Sequence, residues 1–277
     1  MCDFRLRLKP SMIKIKSQHF TTLALAITLS ACGSINLNSL AVVAPNLNTG
    51  STTPTIPALT QQEAASGLKE ALQQGVQTGV QLLNTPGAFN QNPINMIKLP
   101  QEVQDAVGKI HNNAILNATI GKEIDNQVAK AQEAMNVGAE NAMIKASPIF
   151  TNAITNMSFS DALSILTGGN GAATTYLSNQ TQSQLIAAFK PDIQQALDAV
   201  KITNYWKPII TAINNNKKSL GLTSDLNPDL TAYVTEKATI ALFNEIKNRE
   251  NNLRSSLSNR STDLLKKVFD FADKNKK

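Results

Sequence analysis

The chain has 277 residues, 42% of them apolar, 17% charged and only 5% aromatic, with a formal net charge of +6. With 13 Gly and 11 Pro it is neither collagen-like nor a low-complexity tract, and its apolar content excludes a wholly disordered polymer. Two Cys and two His exclude a disulfide scaffold and a histidine-rich metal centre, so no metal or cofactor site is expected.

At the front, Arg5, Arg7, Lys9, Lys14 and Lys16 precede the apolar run Phe20–Ala31. That run is too short to span roughly 30 Å of hydrocarbon, so residues 1–31 read as an export signal, with Met12 a second candidate start. The tetrad Leu29-Ser30-Ala31-Cys32 resembles the lipobox of bacterial lipoprotein precursors. The resemblance implies a mature chain that begins at an acylated Cys32, carries palmitate-type chains and is held to a membrane; two or more chains hold firmly where one holds marginally. Gly33 and Ser34 after the cysteine imply, by resemblance to enterobacterial sorting, the periplasmic face of the outer membrane, with the inner membrane or cell surface as alternatives. Five of the 26 basic residues and one of the 20 acidic ones lie before Cys32, so the mature charge is about +2. The basic balance therefore belongs to the signal and gives no reason to expect nucleic-acid binding.

Residues 32–58 carry no charge and are rich in Ser, Thr, Asn and Pro, which predicts a flexible tether with a span of roughly 25–30 Å. From 59 to 277 the pattern predicts one all-α, bundle-like domain of eight or nine helices with a basic tail. Thr60 and Glu63 form a capping-box pattern ahead of the stripe Ala65, Leu68, Leu72, Val76, Val80 and Leu83. Gly67, Gly75 and Gly79 within it predict close approach of a neighbouring helix. Pro86-Gly87 ends this helix, and residues 85–100 read as a loop before a helix with Val103, Val107 and Ile110. A long helix follows from about Ile120 to Ala146, and a short one runs from Ser158-x-x-Asp161 to Gly168. Another spans about 172–188, and Pro191 is expected to begin a separate one through Ile193, Leu197 and Val200. Helices at Tyr205–Ile213, from Pro228 onward, and after Thr262 complete the chain.

The ordered motifs GLKEAL (67–72), PGAF (86–89), KLP (98–100), SPIF (147–150), DAL-x-IL (161–166), GG-xx-AAT-x-Y (168–176) and TDLLKKVF (262–269) resemble the bacterial helical lipoprotein family catalogued as domain of unknown function 4197. The resemblance covers about residues 60–270 and implies the helical fold, but its title implies no activity. Val137-Gly138 and Ile240-Ala241 depart from the family pattern.

Several polar residues are candidate ligand-binding groups. Asn136 flanks the apolar stripe of the long helix and Glu140 lies beyond it beside Glu133 and Lys122. The position fits a solvated face or a polar anchor in an interhelical groove. Asp161 falls where a first-turn carboxylate caps a helix, and an acid–base pairing with Glu140 is conceivable. The Gly168–Gly171 loop fits a helix C-cap leading into the next helix better than a phosphate cradle, since it lacks Gly-Lys-Ser/Thr. Thr174 and Tyr176 just beyond it line a pocket or simply pack. His111 reads as a helix-end residue, Tyr205-Trp206 as helix packing, and Arg249, Arg254, Arg260, Lys266 and Lys267 as a solvated face or a contact for anionic headgroups. No catalytic residue is assigned. The expected function is a non-enzymatic, lipid-anchored envelope protein that binds a protein partner or envelope component. The alternative is a small-ligand or lipid binder, or a hydrolase, using Asn136, Glu140, Asp161, Thr174 and Tyr176.

Overall fold

The computed structural model describes residues 59–274; the expected export signal, Cys32 and the expected tether lie outside the described residues. Helix α1 (Gln61–Leu83) begins with the expected capping box: the Thr60 hydroxyl accepts from the Glu63 N–H, and the Glu63 carboxylate accepts from the Thr60 N–H at 2.8 Å. That hydrogen bonding holds the Glu63 carboxyl below its ordinary range. The irregular segment 85–100 follows, then α2 (Gln101–Asn112), the single turn α3 (Ala114–Leu116), a π-helical stretch Asn117–Gly121 and the long α4 (Lys122–Ala142).

Beyond a short 3₁₀ turn, α5 (Ala146–Thr155) continues the helical path through SPIF, where the sequence reading placed no helix. Then come α6 (Phe159–Thr167), α7 (Ala172–Ala199), α8 (Thr203–Asn215), α9 (Leu230–Ser255) and α10 (Asp263–Lys274). The described residues contain helices and no strand, in agreement with the all-α expectation. Helix α7 corrects one boundary, since it runs through Pro191 without ending. A mid-helix proline costs about 3 kcal/mol in a free helix. Here Leu185, Phe189, Ile193 and Leu197 form one fully buried row spaced by four, and burying each such side chain contributes roughly 1.5–3 kcal/mol.

Helices α4, α7 and α9 form the centre of the molecule, and α1 packs against α5, α6, α9 and α10. The small residues of α1 do what their spacing predicts. A Cβ on Gly67 would fall 2.5 Å from the Val268 Cγ2 of α10, and one on Gly79 would fall 3.5 Å from the Glu245 Cγ of α9. Helix α4 is buried on two sides, with Met135 and Ala139 in the apolar core and Asn136 and Glu140 buried beside them.

Candidate functional site

Asn136 and Glu140 stand one turn apart on α4 and face the 85–100 segment. The Asn136 amide oxygen accepts from the Ile97 N–H at 2.8 Å, and its NH₂ donates to the Ile97 carbonyl at 3.0 Å. A single side chain thus satisfies both backbone groups of one residue, as a neighbouring strand would. The Glu140 carboxylate accepts from the Phe89 N–H at 3.1 Å, and Phe89 is fully buried. Glu140 is only 6% exposed, so the solvated-face reading is corrected. The stripe read from sequence covered one face of α4, whereas the irregular segment covers the other.

The second polar cluster lies where α6 turns into α7. Gly171 there takes a left-handed backbone, φ 81°, that glycine adopts without strain. The N–H groups of Ala173 and Thr174 donate to the two carboxylate oxygens of Glu250 at 3.0 and 2.9 Å, and the Thr174 hydroxyl donates at 2.8 Å. Glu250 also accepts from the Arg254 Nε at 2.9 Å. Arg254 reaches the other side of the turn, donating from Nη2 to the Ile165 carbonyl at 2.9 Å and from Nη1 to the Gly168 carbonyl at 3.2 Å. One buried ion pair on α9 therefore caps the end of α6 and the start of α7 together. The N–H groups that a phosphate would need are occupied by the protein's own carboxylate.

Asp161 serves the start of α6 through a capping box with Ser158, at 3.1 and 3.2 Å, as its spacing predicts. Tyr176 Oη lies 3.5 Å from the Asp161 Oδ2. Burial first, and the Asp161 charge second, push the phenol above its ordinary pKa. His111 sits at the end of α2, with Nε2 3.0 Å from Asp125 and Nδ1 3.1 Å from Asn117. The aromatics Tyr205 and Trp206 pack partly buried against the core.

Arg254 and Arg260 correct the expectation of a solvated basic face, because both are buried. Arg260 donates to the Leu253 and Arg254 carbonyls at the end of α9, pairs with Asp270 and Asp273 at 2.9 and 2.8 Å, and lies 5.3 Å from the Phe269 ring centre. It caps α9 and holds α10 in place. Sequence reasoning missed this role and that of Glu250. A signal was present: Val234, Ala238, Leu242 and Ile246 step by four, and the same row continues onto Glu250 and Arg254. Charges at core positions of a helix demand partners.

Two of the cavities among the described residues border these polar groups or the 94–98 segment. An enclosed one of about 20 Å³ between α1, α9 and α10 is walled by Leu72, Val76, Leu253 and Phe269, with Glu250 and Arg254 at its edge. That space accommodates about one water molecule. An open groove of about 280 Å³ runs between residues 94–98 and α9, lined by Ile94, Met96, Lys98, Tyr233, Lys237 and Ile240. Among the described residues no group of three or more His, Cys, Asp or Glu could hold a metal ion, and no helix is long and apolar enough to cross a membrane.

The family described as Protein of unknown function (DUF4197) matches residues 58–270, most of the chain. No curated protein and no solved structure matches it.

Proposed function

We propose, on the premise that this chain belongs to the DUF4197 family, that it is a lipid-anchored helical protein of the bacterial envelope that binds a protein partner or envelope component and performs no chemistry of its own. The observation that carries this reading is the use made of the polar side chains. Asn136, Glu140 and Glu250 are each engaged with backbone groups of a neighbouring segment, the Thr174 hydroxyl donates to the Glu250 carboxylate, and Asp161 is engaged at its own helix start. Their geometry supports structural roles, since a general acid or base must be within reach of a substrate proton. The attachment rests on the Leu29–Cys32 tetrad, and the outer membrane on Gly33-Ser34. Residues 32–58 would then let the helices work near the bilayer surface.

Photo-crosslinking in intact cells tests the binding role. The probe amino acid is placed in turn at the exposed positions Ile94, Ile115, Ile144, Ile186 and Ile240. Reproducible capture of the same neighbour from one cluster of positions is the expected result. Capture from none of the five contradicts the proposal. Cys32→Ser should in parallel move the protein out of the membrane fraction, and unchanged sedimentation with membranes refutes the anchor.

A further inference from the structure

The groove beside residues 94–98 presents more than apolar surface. Ile97 gives both its N–H and its carbonyl to Asn136. In an extended chain the peptide groups of the flanking residues face the opposite way. The Lys98 carbonyl accordingly accepts from the Tyr233 hydroxyl of α9 at 3.0 Å. Two groups on that outer edge, the Met96 carbonyl and the Lys98 N–H, have no hydrogen-bond partner among the described residues. A carbonyl at one residue and an N–H two residues on, with the intervening residue turned away, is the pattern to which one residue of a parallel strand bonds twice. Asn136 of α4 and Tyr233 of α9 hold this edge by hydrogen bonds from two helices.

The walls indicate what such a strand would carry. Ile94 is 85% exposed and Ile240 43% exposed, and they stand on opposite sides of the groove. Lys98 and Lys237 line it without a carboxylate partner among the described residues; Lys237 instead lies 5.4 Å from the Tyr233 ring centre. Glu102 and Glu236 are near enough to raise the Tyr233 pKa but do not line the groove. The groove's own charge is therefore positive. Residues 33–58 of this chain contain no acidic side chain, so they do not supply the complement.

We propose that the groove receives an extended, acidic and apolar segment of a partner protein, added as a parallel strand against Met96–Lys98. A guest residue donates its N–H to the Met96 carbonyl and accepts from the Lys98 N–H. Apolar guest side chains cover Ile94 and Ile240, and a guest carboxylate meets Lys98 and Lys237. This rests on the partner-binding reading above and deepens it.

The probe is a fluorescent, end-blocked hexapeptide of alternating valine and glutamate, titrated by anisotropy against the full chain in detergent. Saturable binding is expected, at least about tenfold weaker to the K98E/K237E variant and to a probe with lysine in place of glutamate. Methylating the central backbone nitrogens of the probe should abolish binding, which apolar adhesion alone does not predict. Deuterium exchange of the segment containing Lys98 should slow when the probe is bound. Equal binding of the methylated probe, indifference to charge reversal, or no binding overturns the proposal. So does an affinity that rises tenfold when residues 33–58 are deleted, which would assign the groove to the tether, or a dimer that K98E/K237E dissociates, which would assign it to a second copy. If the probe fails while Ile115, Ile144 or Ile186 still captures a neighbour in cells, the broader function stands and this groove is not its site.

Discussion

Removing the Arg254 guanidinium should be among the most damaging single changes in the molecule. Arg254→Ala deletes the partner of a buried carboxylate, at 2.9 Å, and leaves the Ile165 and Gly168 carbonyls without their donor. Breaking a buried pair from one side costs about 3–5 kcal/mol, because the remaining charge keeps its desolvation penalty. For a domain of this size each kcal/mol moves Tm by about 2–4 °C, so a fall of roughly 6–20 °C is expected. Urea and thermal unfolding followed by circular dichroism measure it. Glu250→Gln should cost a comparable amount, and the E250Q/R254A double variant should lose less than the sum of the singles, by about 0.5–3 kcal/mol. Lys266→Ala, at an exposed i,i+3 pair with Asp263, provides the contrast and should leave the unfolding midpoint nearly unchanged. An Arg254→Ala variant within about 1 kcal/mol of the parent would refute the buried clamp.

Asn136→Ala should leave the Ile97 N–H and carbonyl unpaired, at about 1–3 kcal/mol for each buried group, and should raise proteolysis within residues 85–100 before any loss of helix signal. Gly67→Ala places a methyl against Val268, so it should cost about 1–3 kcal/mol and speed deuterium exchange across α10; Val268→Ala in the same chain should restore part of that loss. Tyr176 and Tyr233 both have phenols raised above 10.0 in the folded protein, chiefly by burial. Their contribution is intact below that pH and declines above it, because the unfolded chain ionises first. Y176F and Y233F should therefore each flatten the loss of stability measured by urea unfolding between neutral and strongly alkaline pH.

Much of the architecture was legible because α1, α6 and α10 declare themselves by caps, and α2 by a stripe at three- and four-residue steps. Two errors came from local rules that tertiary packing overrode. Pro191 does not end α7, since the buried row on both sides of it outweighs one missing hydrogen bond. Glu140 is not solvated, since the cover for its side of α4 is an irregular segment that carries no periodicity to detect. The polar residues were less legible than the helices. Asp161 was legible because its partner, Ser158, is three residues away, whereas Asn136 and Thr174 bond the Ile97 backbone and the Glu250 carboxylate, whose positions depend on the tertiary fold. Glu250 and Arg254 extend the α9 core row in plain view, but as charged residues they read as surface until the α6–α7 turn arrives to receive them.

The proposed attachment of these helices to a membrane through one processed residue is tested most directly by the intact mass of the native protein. The account predicts a mature chain beginning at Cys32 and heavier than its sequence by a diacylglyceryl group, with a further acyl chain on the amine where the host adds one. A native product that starts at an unacylated residue, or that keeps residues 1–31, contradicts it.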